Sequence, residues 1–196
     1  MKLCVFQGSF NPIHNAHLRV AEYVCSKYNF DKILFIPAFN PPHKELDSNM
    51  AYHRFEMVKL AIKDYQQFCV SDIEYKRQGI SYTYQTIKEL YKIHNIEGKI
   101  HFIIGTDAFE KIKSWYEIDK LKELVKFIVF IREDRFEISR YNELKKAGYD
   151  FEFQNLSYLD VSSTEIRQKI KNNDEVSDLL PPEVKEYILK NELYKY

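Results

Sequence analysis

Short apolar runs alternate with helix-like stripes along this chain, and that alternation restricts its fold more than any other feature of the sequence. Leu3 to Phe6 is a continuous apolar run halted by Gln7-Gly8, which suits a strand buried on both faces better than a helix. From His17, the apolar residues Leu18, Ala21, Val24, Cys25 and Tyr28 lay one stripe along a helix that ends near Asn29. Lys32 to Pro37 is again a short run, stopped by proline. The pattern continues with a helical stripe at Phe55, Val58, Ala61, Ile62 and Tyr65, a strand over Phe68 to Ile73, a helix carrying Tyr84, Ile87, Leu90 and Tyr91, and a strand over Ile100 to Ile104. Phe127 to Ile131 and the weaker Phe151 to Phe153 add strands, and helices over Thr164 to Lys171 and Pro182 to Lys190 close the chain. Such alternation predicts an α/β fold: one Rossmann-like, doubly wound domain over residues 1–196, with a mostly parallel sheet and C-terminal helices. Ligands of such sheets bind beyond the carboxyl ends of the strands, so the chemistry is expected there. The polar stretch Arg132 to Asp150 is the expected flexible segment.

Composition narrows the partners. Hydrophobic residues make up 45% of the 196 and charged residues 30%, a balance that supports a packed core and argues against disorder. Formal net charge is zero, so an anionic ligand must be met by a local cluster of positive groups, and no basic stripe invites nucleic acid. The odd, scattered set Cys4, Cys25 and Cys69 points to a reducing compartment. MKLCVFQGSF is too short an apolar run for a signal peptide, and no run approaches the roughly 18 residues of a membrane span. A cytoplasmic protein is expected, with no membrane partner; monomer and homodimer both stay open.

The first strand ends on one of only five glycines, followed by Ser9, Asn11 and two histidines, His14 and His17. Gly8 permits a sharp turn and a close approach of ligand to backbone. The helix N-terminus just beyond offers free N–H groups and a positive dipole end, an anion site to which both histidines can add hydrogen bonds. A histidine beside an apolar run is as readily structural, and His-x-x-His also occurs in metal sites. No cysteine lies nearby at ligand spacing, however, which disfavours zinc. Near the other end, VSSTEIR places Ser162 and Ser163 as capping oxygens at a helix start, and Arg167 within reach of a phosphate held there. Gly105-Thr106-Asp107 follows the fourth strand, where glycine permits close approach and Asp107 can accept from ribose hydroxyls. Each of the last two, standing alone, is as readily an ordinary cap or turn.

GSFNPIHNAH, placed directly after a first strand, resembles the G-x-F-x-P-x-H-x-G-H signature of the nucleotidyltransferase superfamily, and VSSTEIR its I-S-S-T-x-I-R element. Ala16 stands where the superfamily usually has Gly, and Asn11 where Asp is common, which puts an acidic role at position 11 in doubt. Three further stretches, Pro41-Pro42-His43-Lys44, Ser81-Tyr82-Thr83-Tyr84 and Trp115-Tyr116, resemble the PPHK, SYT and W-Y elements of the bacterial nicotinate-nucleotide adenylyltransferases. The resemblance covers nearly the whole chain, down to LPPEVKEYILKNELY, whose apolar spacing reads as packing only.

That resemblance implies an enzyme of NAD biosynthesis, joining the AMP moiety of ATP to nicotinate mononucleotide and releasing pyrophosphate. It implies that Gly8, Ser9, Phe10, His14, His17, Gly105, Thr106, Asp107, Ser162, Ser163, Thr164 and Arg167 surround ATP. It implies that Lys44, Thr83, Tyr84, Trp115 and Tyr116 hold the mononucleotide, with His14, His17, Lys44 and Arg167 serving the chemistry. His43, Arg54 and Arg132 follow as second-rank candidates, Arg54 also reading as a helix-surface charge. Mg²⁺ is expected to arrive on the triphosphate rather than on protein ligands, and the histidines to act as hydrogen-bond donors, with neighbouring phosphates favouring their imidazolium form. Phosphopantetheine adenylyltransferase, or a non-catalytic nucleotide-binding module, are the alternatives.

Overall fold

The computed structural model describes residues 1–42, 47, 49–132, 136–156 and 161–195. They form a six-stranded sheet of β1 (Leu3–Gly8), β2 (Lys32–Pro37), β3 (Phe68–Val70), β4 (Ile100–Gly105), β5 (Val125–Phe130) and β6 (Phe151–Gln154). The order is β3-β2-β1-β4-β5-β6, and every neighbouring pair is parallel. The strand order therefore reverses direction between β1 and β4, the place where an open parallel sheet offers a crevice at its carboxyl edge.

Strand alternation builds the two faces. Leu3, Val5, Leu34, Ile36, Phe102, Ile104, Phe127 and Val129 point to one side, against Ile87 and Leu90 of α4 (Thr83–Ile93) and Leu121 of α6 (Ile118–Leu124). Cys4, Ile33, Phe35, Ile103, Ile128 and Phe130 point to the other. There they meet α1 (Asn15–Lys27), α2 (Asn49–Ala61), α8 (Ser163–Lys171) and α9 (Pro182–Lys190), through residues such as Val24, Met57, Ile166 and Ile188. Strands buried on both faces read as unbroken apolar runs because both neighbouring layers demand apolar contact, which is why the sequence discloses them. The helices α3 (Ile73–Arg77), α5 (Thr106–Phe109) and α7 (Asn142–Lys146) are single-turn pieces.

Two sequence expectations change. The run Phe68 to Ile73 is strand only through Val70; the Ser71 N–H goes to the Phe35 carbonyl at 2.9 Å, the Ser71 hydroxyl accepts from the Ile73 N–H, and α3 begins. The polar stretch Arg132 to Asp150, expected to be flexible, contains a 3-10 turn at Ile138–Tyr141 and α7, pinned by buried Tyr141, Leu144 and Tyr149. Three apolar anchors widely spaced among charged residues give no periodicity to read, yet they are enough to dock the segment. Among the described residues, no helix is long and apolar enough to cross a membrane.

Candidate active site

Gly8 and Gly105 end two adjacent strands, β1 and β4, so both glycine turns open at the point where the strand order reverses. A Cβ at Gly8 would sit 3.2 Å from the Phe10 ring, which packs beneath the turn and meets Phe6, His17 and Phe35 edge-on or tilted. Phe10 has φ of 44° and its side chain is buried. Its ring is therefore a core wedge, and what this residue offers a ligand is backbone. At Gly105 a Cβ would lie 2.5 Å from Asp107 Oδ1 and 3.1 Å from Arg132 Cδ, so both side chains fold over the strand end as only glycine allows. The Thr106 hydroxyl accepts from the Arg132 N–H at 3.2 Å, joining the ends of β4 and β5.

His14 is the N-cap of α1, and His17 lies one turn inside. Their rings lie close together, tilted by 33°, with centroids 3.7 Å apart. The His14 backbone N–H donates to His17 Nδ1 at 3.2 Å, so that nitrogen is an acceptor and the proton of a neutral His17 sits on Nε2. His14 is almost wholly buried, and its Nδ1 has no partner. Burial, with the Arg132 charge adding to it, pulls its pKa down to about 3. In the ligand-free protein His14 is therefore a neutral ring that can donate through one N–H.

The late motif reaches this turn from α8. The Ser162 hydroxyl accepts from the Glu165 N–H, capping the helix. The Ser163 hydroxyl donates to the Pro12 carbonyl at 2.9 Å, and Arg167 Nη1 donates to the Asn11 carbonyl at 2.7 Å while Nη2 donates to the Thr164 hydroxyl. Asn11 Oδ1 accepts from Tyr194 at 2.6 Å, a bond that needs a protonated phenol; burial raises the Tyr194 pKa and keeps it so. The terminal segment, read from sequence as packing only, therefore buttresses the first loop, and Asn11 serves it through neutral oxygens.

On the other side of β1, Gln7 links to the start of α4. Thr83 Oγ1 donates to Gln7 Oε1 at 2.8 Å, and Gln7 Nε2 donates to Glu74 Oε1 at 2.6 Å. The backbone of Asn40, just before the proline loop, exchanges bonds with Ser81. Trp115 is half-buried and packs edge-on against Phe102, while Tyr116 stacks on Tyr82 with centroids 4.4 Å apart and lies 6.5 Å from Tyr84. His43 and Lys44 lie outside the described residues.

Arg54, which could be read as a surface charge, is instead fully buried. It donates to the carbonyls of Ser9 at 2.9 Å, Ala38 at 2.5 Å and Phe39 at 3.1 Å. A planar guanidinium presents several donors in a fixed fork, which is what three converging carbonyls require. Burial lowers its pKa, and Tyr75, Tyr194 and Glu74 counter that in part. Glu74, also buried, accepts from the Phe39 N–H. The Phe39 peptide is thus held between a buried cation and a buried anion, which fixes the loops after β1 and β2 to each other. Sequence reading missed Gln7, Glu74 and the interior place of Arg54; the only signal was a glutamate and an arginine on otherwise amphipathic segments. Among the described residues, no group of three or more His, Cys, Asp or Glu side chains is arranged to ligate a metal.

The family model described as cytidylyltransferase-like matches residues 5–169. A Clostridium botulinum protein (strain Kyoto / Type A2) named "Probable nicotinate-nucleotide adenylyltransferase" is 42% identical over 97% of this chain and 98% of its own. One of the same name from Clostridium tetani is 40% identical over 99% of both. In fold, the chain is similar to the Plasmodium falciparum nicotinic acid mononucleotide adenylyltransferase solved with NaAD, with a TM-score of 0.81 over 100% of this chain and 98% of that one at 23% identity. With glycine turns, paired histidines and a late arginine helix gathered at the reversal of a parallel sheet, and with relatives matching from end to end, this chain belongs to the cytidylyltransferase-like family.

Proposed function

We propose that this protein is a nicotinate-nucleotide adenylyltransferase, acting as one catalytic domain over residues 1–196 in the cytoplasm. A phosphate oxygen of nicotinate mononucleotide attacks the α-phosphorus of ATP, the bond to the β-phosphate oxygen breaks, and nicotinic acid adenine dinucleotide and pyrophosphate leave. The observation that carries this reading is the convergence of the Gly8–His17 turn with α8, through Arg167 to Asn11 and Ser163 to Pro12. That junction lies beside the Gly105 turn at the sheet's reversal point, and the end-to-end likeness to the two clostridial proteins supports the choice of reaction.

No protein nucleophile is required, because holding two anions in line and neutralising them can supply most of the acceleration. In this reading Gly8, Ser9, Gly105, Thr106 and Asp107 border the nucleotide through backbone and hydroxyl groups, and Phe10 shapes the turn from beneath. His17 offers Nε2–H and His14 its single N–H to the phosphates. The negative charge of a bound triphosphate favours the imidazolium that burial opposes in the free protein. Arg167, Thr164, Ser162 and Ser163 complete the phosphate side at the N-terminus of α8. Thr83, Tyr84, Trp115 and Tyr116 hold the pyridine end, with Lys44 on the mononucleotide phosphate. Magnesium enters as part of the substrate, MgATP, where it offsets the charge of the triphosphate.

The test is pyrophosphate release from MgATP with nicotinate mononucleotide, nicotinamide mononucleotide or phosphopantetheine offered separately. Turnover with the first above the others is expected. Turnover only with phosphopantetheine, or ATP binding without turnover on any acceptor, would overturn the proposal.

A further inference from the structure

Glu74 is 1% exposed, and each of its oxygens is committed. Oε2 accepts from the Phe39 backbone N–H at 3.1 Å; Oε1 accepts from Gln7 Nε2 and from the Thr86 hydroxyl, both at 2.6 Å. Arg77 Nη2 stands 3.7 Å from Oε1, binds the Thr86 oxygen, and its Nη1 pairs with Glu89. A carboxylate only accepts, so the Gln7 amide must turn its NH₂ toward Glu74 and its carbonyl outward. The Thr83 hydroxyl then spends its one proton on that carbonyl, at 2.8 Å. What Thr83 can show a ligand is lone pairs.

We infer that Glu74 is a positioning residue that sets the polarity of the Thr83 hydroxyl, and through it the balance between acid and amide pyridine mononucleotides. The inference rests on the proposed function, with the pyridine substituent at the start of α4. Anion recognition there falls to the backbone N–H groups of the first turn of α4, while Thr83 itself presents an acceptor that welcomes an amide NH₂ and opposes a carboxylate.

Glu74→Gln reverses the relay. The Phe39 N–H is backbone and cannot turn, so the new amide carbonyl takes the Oε2 place and its NH₂ the Oε1 place. Gln7 then turns its carbonyl inward and its NH₂ toward Thr83, which accepts and frees its proton to donate to a ligand. Thr86 accepts from the new NH₂ and rotates its own proton to the Tyr82 carbonyl, 3.4 Å away.

Steady-state kinetics on the folded full-length variant, with both mononucleotides, read this directly. In Glu74→Gln the ratio of kcat/KM for the acid over the amide rises on the order of tenfold, as one hydrogen bond changes sign, and KM for ATP stays within about twofold. An unchanged or lower ratio overturns the inference. Should that variant fail to fold, Thr83→Val decides: losing an acceptor weakens the amide more than the acid, so the ratio rises again. A fall in the ratio, from loss of a donor to the carboxylate, overturns it. Failure of the wild type to use either mononucleotide would instead strike the proposed function, which keeps the two results apart.

Discussion

Replacing Arg54 with methionine keeps the length of the side chain and removes the fork that ties three carbonyls together. The carbonyls of Ser9, Ala38 and Phe39 then face a thioether that donates nothing. Each acceptor stranded in this interior costs about 1–3 kcal/mol, so the gross loss is on the order of 3–9 kcal/mol. Removing a buried charge returns several kcal/mol of desolvation, but Glu74 simultaneously loses the cation on the far side of the Ala38–Phe39 peptide that it holds. The net matches what breaking a buried charge arrangement typically costs, about 3–5 kcal/mol. For a chain of this length each kcal/mol moves the melting temperature by about 2–4 °C, so Tm falls by roughly 6–20 °C. Thermal unfolding followed by circular dichroism measures this, with Arg54→Lys beside it. A lysine presents a point charge rather than a fork and recovers less than half of the loss. A methionine variant melting within about 3 °C of wild type would refute the reasoning, since it would mean that water or relaxation satisfies all three carbonyls.

Other outcomes follow from the site. His17→Ala lowers turnover by two or more orders of magnitude while circular dichroism stays native, because a donor to the developing phosphate charge is lost; near-normal turnover in a folded variant removes that role. Trp115→Ala raises KM for the mononucleotide more than KM for ATP, and the reverse ordering in the same initial-rate assay tells against a ring platform. His14, with its pKa held at about 3 by burial first and Arg132 second, makes stability depend on pH. Protons bind the unfolded ring below about 6.5 but not the folded one, so its contribution is whole above that pH and is lost as pH falls toward 3. Between pH 7 and 5 this one group removes about 2 kcal/mol, and urea unfolding of His14→Asn shows a correspondingly shallower loss than wild type; parallel curves would mean that His14 is already charged.

The sheet was legible because strands covered on both faces must be apolar along most of their length, and Leu3 to Phe6, Ile33 to Pro37, Phe102 to Ile104 and Phe127 to Phe130 are unbroken apolar runs. The glycine turns, the histidines and α8 were legible because a phosphate-binding turn needs particular residues at fixed spacing. The joins between them were not. Arg54 sits in a helix among alanine, methionine and valine that pack, and nothing local says that its charged end meets carbonyls from two other segments. Gln7 and Glu74 lie 67 positions apart and meet only once β1 and α3 are placed. Asn11 looked like a lost charge, whereas its two oxygens are occupied by Arg167 and Tyr194 from the far end of the chain. Tertiary bonds between single polar residues leave no periodicity, so they are the part of a fold that pattern reading passes over.

The ties from Arg167 and Tyr194 to Asn11 bear on how the molecule is made. A ribosome would release every strand of the sheet, through Gln154, before the helix that braces the first loop had emerged. A prematurely terminated product would thus lack both part of the helical layer over one face of the sheet and the brace where the triphosphate should rest. Synthesis of an unfinished copy would then yield an idle polypeptide rather than a half-controlled catalyst.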